Sequence, residues 1–551
     1  AEGNFTFTRG SNLSATRVNA SQLIEKGREN LLLQSNQFDT TWATNNSSVT
    51  SGQSGYDGLN NAWELKENTS TGVHEIIQTL SVSTGVQTYS LKVSANTRSK
   101  MALVLAGSAF NSGGNGVGIF NLTNGTLISS SGSLIDAKIT SLGGNWYNVS
   151  ITKLASSSSA VAVVQLVDDS NNTSYTGNGT GSIYIQDSQL EQGLVATSVI
   201  ETGASTAQAG ILENTPRLDY SGGASCPSLL LEPSRTNLIP QSEYFNSSYW
   251  IKSGSPTVSV SDNAGISPEG VSNATRFVAA SAQQSTRLYT SVTWTAVPYT
   301  LSLYVKNNGG TNTNLRFSYY DSTGQYFSPT FTLTDEWQRI EYTFTPTASS
   351  GGFWIVNTPT GGLNLDLLAF AAQLEVGSYP TSYIPTYGVS QTRAQDVCVN
   401  AGDVNTFNSL EGVLYAEIKA LSETGGNRYI TLSDGTDTNR VVIRFQDTDK
   451  IGCYIGTSNG GAVDITKSSA NISSGFLKVA VKWKVNDCAL WINGIEIGTS
   501  VSFASFNTST LDTLNLSGTD GSTLTLKANT NQVLVFPTAL SDTELATLTT
   551  I

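Results

Sequence analysis

Few residues in this sequence have the type and spacing that acid–base or metal chemistry requires. His74 is the only histidine among the 551 residues, so a histidine-rich metal site cannot form within one chain. No P-loop, dinucleotide-binding glycine motif after a strand, or HExxH motif occurs. His74 is therefore expected to be an ordinary surface or strand-end residue.

Paired carboxylates are the remaining route to catalysis, because a glycosidase needs only two. The candidate pairs are Asp434 with Asp437 and Asp447 with Asp449. All four lie in turn-like sequence, where Asp is favoured because it accepts local backbone hydrogen bonds. Solvated turn residues are the preferred interpretation, and a calcium ion held by Asp434, Asp437 and nearby carbonyl groups is the next. We therefore expect no catalytic residue and no cofactor, with calcium left open.

The four cysteines form no metal-binding or redox motif. Cys226, Cys398, Cys453 and Cys488 lack CxxC spacing. Cys453 and Cys488 fall in the same C-terminal region and could form a disulfide if adjacent strands bring them together. Buried free thiols are the preferred alternative.

Aromatic side chains offer a better functional lead, because sugar rings stack their apolar C–H faces on flat side chains. Trp42 and Trp250 are equivalent positions of an internal repeat, as are Trp146 and Trp337, so these four are expected to serve a shared core. Aromatic residues that the repeat does not share are where the copies could differ in ligand. The candidate ligand-binding residues are Trp63, Trp294, Trp354, Tyr320 and, in the last domain, Trp491. Core packing is the alternative for each of them.

The repeat is carried by two phrases that occur twice in the same order. NLLLQSNQFDTTW starts at Asn30 and NLIPQSEYFNSSYW starts at Asn237. QLEQGLVATSVIET starts at Gln189 and QLEVGSYPTSYIPT starts at Gln373. Each unit thus opens with N-L-x-x-Q-S-x-x-F and closes with Q-L-E-x-G. The closing phrase is predicted to form the last strand of each unit and the exit into the next segment.

Hydrophobic periodicity indicates that each unit is made of strands. From Tyr299 to Lys306, inward apolar residues recur at every second position, which is the period expected for a half-buried strand. The stretch from Tyr89 to Val93 repeats this pattern, and turn-forming clusters such as NNGGTN separate such runs. Each unit of roughly 150 to 170 residues is therefore predicted to be an all-β jelly-roll sandwich.

The region from about Val397 to Ile551 lacks the repeat but contains clear strands, including VLYAEIKAL, RVVIRFQ and LKVAVKWKVNDCALWINGIEIG. Asn486 and Asp487 are a plausible tight turn within the last of these. Ser541 is predicted to cap a short terminal helix with Glu544 as its capping-box partner. The W-x-N-G hairpin and the closing ALSxxE segment resemble those of concanavalin-A-like and laminin-G-like sandwiches, which implies a third β-sandwich domain.

Composition and net charge argue against some classes of binding partner. Charged residues make up only 13% of the chain, and the formal net charge is −13. Nucleic-acid backbones and anionic membranes are therefore not expected partners, because binding them requires clustered Lys and Arg. No apolar run approaches the roughly 20 residues needed to cross a bilayer. The abundance of Ser, Thr, Asn and Gly is typical of β-rich extracellular or virion surface proteins.

Three stretches resemble a known group of proteins. ATRVNASQLIE, ENTPRLDYSGGASCPSLLLEPSRTNLI and QLEVGSYPTSYIPT are similar to cassettes of structural fibre and appendage proteins of tailed bacteriophages, which surround jelly rolls similar to carbohydrate-binding modules. The resemblance implies a virion surface protein, a head or tail fibre assembled in the host cytoplasm. It also implies a homotrimer that contacts other virion proteins through its N-terminal segment.

The predicted fold is all-β and multidomain, with two repeated jelly-roll sandwiches followed by a concanavalin-A-like sandwich. Its parts are an N-terminal attachment segment (1–29), module 1 (30–203), a connector (204–236), module 2 (237–388) and the third domain (389–551). Residues 4–29 are too few to fold alone, so we expect them to be ordered only against another chain or a virion partner.

The leading functional hypothesis is a non-enzymatic phage virion surface protein that contacts cell-surface glycans. A purely structural fibre or capsid decoration without ligand binding is the second hypothesis. A secreted or cell-surface glycan-degrading enzyme is the third, and it requires the carboxylate pairs to converge in a cleft. Fold alone does not choose among them, because sandwiches serve all three.

Overall fold

The computed structural model describes residues 4–11, 13–359, 361–421, 426–446, 449–468, 472 and 474–551. These residues form antiparallel sheets, two short 3-10 turns and one terminal helix. The predicted all-β, multidomain fold is confirmed.

The N-terminal segment and module 1 contain the first 18 strands. The N-terminal strands are β1 (Thr6–Thr8), β2 (Thr16–Val18), β3 (Ile24–Lys26) and β4 (Arg28–Asn30). Module 1 contains β5 (Ala43–Asn45), β6 (Ser47–Gln53), β7 (Ala62–Glu67), β8 (Thr71–Val73), β9 (Glu75–Ser81), β10 (Gly85–Ala95), β11 (Lys100–Ala106), β12 (Gly116–Asn121), β13 (Thr126–Ser131), β14 (Asp136–Gly143), β15 (Trp146–Ala155), β16 (Ser159–Leu166), β17 (Ser174–Thr176) and β18 (Ser182–Gln192). Its two six-stranded sheets have the orders β14-β15-β10-β18-β7-β6 and β13-β12-β11-β16-β9-β5.

The connector and module 2 follow. The connector strands are β19 (Ala207–Ala209), β20 (Leu218–Asp219), β21 (Ser228–Leu231) and β22 (Arg235–Asn237). Module 2 contains β23 (Ile251–Ser253), β24 (Ser259–Gly265), β25 (Ala274–Ala282), β26 (Arg287–Thr293), β27 (Tyr299–Asn307), β28 (Asn314–Leu315), β29 (Ser318–Asp321), β30 (Gly324–Phe327), β31 (Phe331–Thr332), β32 (Gln338–Phe344), β33 (Ser350–Asn357) and β34 (Leu363–Val376). Its two five-stranded sheets have the orders β24-β25-β34-β27-β32 and β23-β26-β33-β29-β30.

The third domain is a sandwich of seven-stranded and five-stranded sheets. Its strands and those leading into it are β35 (Gln391–Arg393), β36 (Val397–Val399), β37 (Gly412–Ala420), β38 (Asn427–Ser433), β39 (Arg440–Gln446), β40 (Lys450–Gly456), β41 (Val463–Lys467), β42 (Leu477–Trp483), β43 (Cys488–Ile492), β44 (Ile495–Ser500), β45 (Thr513–Asn515) and β46 (Ala528–Phe536). The terminal helix α1 (Asp542–Thr549) has the predicted capping box of Ser541 and Glu544. Asn486 adopts a positive φ of 55° at the predicted turn.

The two modules share one strand plan, which explains the sequence repeat. In each, the strand with the closing phrase lies beside the strand with the alternating Tyr-x-Leu pattern, as β18 beside β10 and β34 beside β27. The closing phrase forms the last strand of each module along the chain, as predicted.

Asn30 links the opening phrase of module 1 to its closing phrase. This fully buried side chain donates from Nδ2 to the carbonyl oxygens of Ser188 and Ile200, at 3.1 and 2.9 Å. Its Oδ1 accepts from the backbone amides of Leu32 and Leu190, both at 3.1 Å. One side chain therefore ties the entry of the module to its last strand and to its exit.

Asn237 repeats this arrangement in module 2. Its Nδ2 donates to the carbonyl oxygens of Ala372 and Ile384, at 3.2 and 2.9 Å. Its Oδ1 accepts from the amides of Ile239 and Leu374, at 3.1 and 3.2 Å. The repeated asparagine is thus explained by a buried amide group that satisfies four backbone groups in each module.

The connector is part of the third domain's larger sheet. Strand β21 pairs with β46, with Leu229 opposite Thr530 and Leu231 opposite Ala528, and β20 pairs with β21 at the sheet edge. The third domain therefore uses strands from both sides of module 2 in the sequence.

Five buried charged side chains, here called the arginine–carboxylate cluster, join the separate segments. Arg9 lies 3.2 Å from Asp396, and Arg217 contacts both Asp396 and Glu232, the latter at 2.6 Å. Arg393 lies 3.0 Å from Glu232. Each side chain is at most 4% exposed. The cluster connects the N-terminal segment, the connector and the start of the third domain.

The N-terminal segment is ordered against its own chain. Strand β1 pairs with β36, and Lys26 Nζ lies 2.8 Å from Glu243 and 2.6 Å from Glu269 of module 2. Arg28 lies 3.3 Å from Glu191 of module 1. The expectation that residues 4–29 are ordered only against another chain is therefore wrong for the described part of that segment, because buried ion pairs within the chain fix it.

The cluster predicts a loss of stability in acid. Burial raises the pKa of Glu232, but the charges of Arg393 and Arg217 outweigh this effect and hold the pKa at about 2. The unfolded value is about 4.3, so ionised Glu232 contributes stability that is complete above about pH 5 and is lost as the pH falls towards 2, up to about 3 kcal/mol. Calorimetric melting from pH 6 to 2 should show this loss. The Glu232→Gln variant should show a smaller dependence on pH in that range, and an unchanged dependence would contradict the prediction.

Candidate functional site

The outer face of the second module 2 sheet carries an aromatic cleft. Tyr289 pairs with Trp354, and Trp354 pairs on its other side with Ser318. Directly paired residues share one face of a sheet, so these side chains form one row across three strands. The neighbouring row contains Tyr320, which pairs with Gly352.

The aromatic rings line part of an open cleft of about 430 Å³. The ring centroids of Tyr289 and Trp354 are 6.5 Å apart, and those of Tyr320 and Trp354 are 6.3 Å apart. Trp354 is only 6% exposed and forms the floor, whereas Tyr289 and Tyr320 are half-buried. The two tyrosines therefore present ring surface to solvent on a packed base.

Local sequence explains why Tyr320 lies flat on the sheet. A Cβ atom at position 352 would lie 2.7 Å from the Tyr320 ring and 2.3 Å from the Thr290 carbonyl oxygen, so only glycine leaves room for that ring. Phe353 and Ile355 on either side of Trp354 belong to the module core. The Trp354 ring is instead directed to the outer face, and its indole nitrogen has no hydrogen-bond partner among the described residues.

The charged groups of the cleft differ in how well they are paired. The Arg287 guanidinium carbon lies 4.5 Å from the centroid of the Trp354 ring, in cation–π geometry. At the other end, Asp321 accepts hydrogen bonds from the side chains and backbone amides of Thr323 and Thr347. The hydrogen bond from the Thr323 hydroxyl is the main reason why the pKa of Asp321 lies well below its usual range. Asp321 is thus a structural carboxylate fixed as an anion.

Module 1 has different chemistry on its matching face. Strands β9, β16 and β11 occupy the places of β26, β33 and β29 in the sheet order. Their outward residues form an aliphatic cluster that includes Val104 and Val163, with Ile77 packed against it. The two copies therefore share a framework, and the aromatic cleft belongs to module 2.

The structure brings together two of the five predicted ligand-binding residues, Trp354 and Tyr320. Trp63 lies in the core of module 1, where its indole donates to the Asn36 carbonyl oxygen at 3.1 Å. Trp294 lies in the core of module 2 and donates to the Tyr320 carbonyl oxygen at 3.0 Å.

Trp491 packs in a small apolar cluster with Tyr415 of β37 and with Leu545 of the terminal helix α1. Ligand binding stays a prediction for all five residues, and Trp63, Trp294 and Trp491 occupy packing positions. The sequence reasoning missed Arg287 and Tyr289. The available signal for Tyr289 was its position between Leu288 and Thr290 in a strand of period two. Those two residues face the core and are buried, so Tyr289 faces outward.

The candidate calcium residues make local contacts. Asp434 accepts from the backbone amide and hydroxyl of Thr436 and from the Asn439 side chain, which is the pattern of a turn residue. Asp437 pairs with Arg440. Among the described residues no group of three or more His, Cys, Asp or Glu side chains could hold a metal ion. Asp447 of the other candidate pair lies outside the described residues.

His74 and the two cysteines of the candidate pair, Cys453 and Cys488, are buried. His74 is fully buried, and its ring nitrogens lie 2.8 and 3.3 Å from the carbonyl oxygens of Asn46 and Tyr175. His74 lies between the end of β8 and the start of β9, so it is a strand-end residue as expected. The surface alternative is wrong, because the ring fills a buried polar position. Cys453 and Cys488 are buried free thiols, and burial raises the pKa of Cys453 to about 12.

No helix in the described ranges is long and apolar enough to cross a membrane. No protein-family model matches the sequence, and no curated protein matches it.

Similar solved structures include a CBM40 module of the IT-sialidase from Ruminococcus gnavus, bound to alpha2,3 sialyllactose. It is 20% identical, covers 26% of this chain and 83% of its own, and has a TM-score of 0.23. The CBM22-1-CBM22-2 tandem domain of Xyn10C from Paenibacillus barcinonensis is 10% identical, covers 67% of this chain and 99% of its own, and has a TM-score of 0.21. Likeness at this level does not assign the chain to a family.

Proposed function

We propose that this protein is a non-enzymatic glycan-binding protein and that it binds sugar through the aromatic cleft of module 2. The observation that carries this proposal is the pair of half-exposed rings, Tyr289 and Tyr320, held on the buried Trp354. Such a surface matches the apolar C–H faces of pyranose rings. The neighbouring Gln325, which is exposed and lines the cleft, supplies an amide group that can bind sugar hydroxyls.

Binding without catalysis is favoured by the carboxylates of the cleft. A glycosidase of the usual kind needs two carboxyl groups on opposite sides of the scissile bond. Asp321 is the one carboxylate among the described residues that line the cleft, and both its oxygens already accept hydrogen bonds. The third hypothesis, a glycan-degrading enzyme, would be supported by release of reducing sugar from a bound polysaccharide.

We also propose that the protein acts on the surface of a phage virion, as part of a trimeric head or tail fibre that contacts host polysaccharide. Support comes from the stretches ATRVNASQLIE, ENTPRLDYSGGASCPSLLLEPSRTNLI and QLEVGSYPTSYIPT, which resemble phage appendage cassettes. Immunogold labelling of intact particles, together with light scattering of the purified chain, would test location and oligomeric state. Absence from purified particles would contradict the virion proposal and leave glycan binding intact.

Truncating Tyr320 is expected to weaken glycan binding with little effect on folding. An aromatic ring that stacks on a ligand in a wet site contributes on the order of 1 to 3 kcal/mol, by analogy with base stacking. Tyr320→Ala should therefore raise the dissociation constant about five- to hundredfold. Isothermal titration calorimetry with a polysaccharide selected from a host-envelope panel would measure this change.

The matched control is Tyr56→Ala, which removes a ring of module 1 that is 39% exposed and lies away from the cleft. This variant should bind as the unchanged protein does. If no member of the panel binds the full chain, the glycan-binding proposal fails and a purely structural fibre takes its place.

A further inference from the structure

Two arginines on the face that carries the aromatic cleft have no acidic partner among the described residues. Arg287 lines the cleft, and Arg316 lies beside it, outside the lining residues. Arg287 is the register partner of Asn357, and the backbone amide of Arg316 donates to the Asn357 carbonyl oxygen at 3.0 Å. The two arginines therefore flank one residue from opposite sides. Their backbones are two strand spacings apart, roughly 10 Å.

Arg287 has an unused hydrogen-bonding edge. Its side chain donates to no described residue. Its Nε is buried, so the terminal nitrogens are the donors that this lining residue offers to the cleft. Stacking on Trp354, at 4.5 Å, and on Tyr289, at 5.5 Å, fixes the guanidinium in place. Since guanidinium groups bind carboxylate and sulfate oxygens through paired N–H donors, Arg287 presents a fixed anion-binding group to the cleft.

Arg316 is positioned in a similar way. Its guanidinium carbon lies 3.7 Å from the centroid of the Phe327 ring, which is 41% exposed. Its Nε donates to Oδ1 of Asn357 at 2.5 Å, which leaves the terminal nitrogens for a ligand. Asp321 lies five residues further along the chain, roughly 16 Å at strand spacing, and its oxygens are engaged by Thr323 and Thr347.

From this geometry we infer that the cleft selects acidic glycans, with a sugar carboxylate or sulfate bound between Arg287 and Arg316. The inference rests on the proposed glycan-binding function and names the ligand class of the same site. The neutral ring surface of the sugar lies on the tyrosines, and the anionic substituent lies at the arginine end. The net charge of the chain is −13, so its overall electrostatic field repels an anionic ligand. Two arginines without acidic partners, beside exposed rings, provide local positive charge that attracts such a ligand.

The test compares acidic polysaccharides with matched neutral ones on the full chain. The probes are polygalacturonate and its methyl ester, dextran sulfate and dextran, and the acidic and carboxyl-reduced forms of host-envelope polysaccharides. The acidic member of at least one pair should bind tenfold or more tightly than its neutral counterpart. The preference for a carboxylate or a sulfate identifies which anion the site takes.

Arg287→Met and Arg316→Met should each weaken acidic binding about tenfold, in line with the loss of one charge-assisted hydrogen-bonding group. Methionine retains packing on the aromatic ring, and Arg287→Lys should retain part of the affinity. The control Lys138→Met removes one exposed positive charge of module 1 and should leave affinity unchanged, which separates a local site from net charge.

Three results would overturn the inference. Equal affinity for acidic and neutral members, with both arginine variants unaffected, would show a neutral-sugar site and leave the proposed function standing. An acidic preference that Lys138→Met reduces as much as Arg287→Met would indicate non-specific charge attraction. Binding to no member of any pair would reject the glycan-binding function together with the inference.

Discussion

Replacing Arg217 with methionine is expected to lower the free energy of unfolding by about 3 to 5 kcal/mol, the usual cost of removing one partner from a buried ion pair. The Arg217 side chain is fully buried and contacts both Glu232 and Asp396. Its loss leaves two buried carboxylates with one arginine each, Arg393 and Arg9. Calorimetry and urea denaturation followed by tryptophan fluorescence would measure the change.

The matched control is Arg17→Met. Arg17 lies 2.9 Å from Glu25 with side chains that are 21% and 29% exposed, and partly exposed pairs contribute about 1 kcal/mol or less. A loss in Arg217→Met no larger than in Arg17→Met would show that the arginine–carboxylate cluster does not hold the segments together.

The second large effect is expected at the repeated asparagines. Asn237→Ala removes an amide group that bonds four backbone groups of module 2, and each buried group left unsatisfied costs about 1 to 3 kcal/mol. Because solvent entry relieves some of them, we expect a total loss of about 3 to 5 kcal/mol. Asn30→Ala should do the same to module 1.

Hydrogen exchange with mass spectrometry separates the two effects, because it reports on local opening in each module. Asn237→Ala should increase exchange in β34 and leave β18 protected, and Asn30→Ala should do the reverse. Unchanged protection of β34 in Asn237→Ala would contradict a role for the asparagine in closing the module.

Much of the fold could be predicted because its signals are local. The alternation from Tyr299 onwards predicts β27, and the capping box predicts helix α1, since both depend on residues close in sequence. The joining strands could not be predicted in this way. Strand β1 has three residues, and its partner β36 is nearly 400 positions away, so nothing in its own sequence specifies the pairing.

The candidate site was only partly predictable for a related reason. Trp354 lies in the apolar run FWIV, where Phe353 and Ile355 face the core, and periodicity alone does not show that the middle ring faces outward. The pairing of β33 with β26 decides it, and that pairing contains a bulge beside Tyr289. Trp294 was indistinguishable from Trp354 in sequence, because the carbonyl oxygen that accepts its indole N–H comes from Tyr320, 26 residues away.

The placement of β21 in the third domain's sheet also constrains synthesis of the chain. The hydrogen-bonded residues Ser228 and Asn529 of β21 and β46 are 301 positions apart. At about 5 to 20 residues per second, a ribosome needs roughly 15 to 60 s to make the intervening chain. During that interval β20 and β21 form at most a two-stranded hairpin, which is marginal in water. Both modules can fold while the ribosome is still translating, whereas the larger sheet of the third domain is completed only after β46 has emerged.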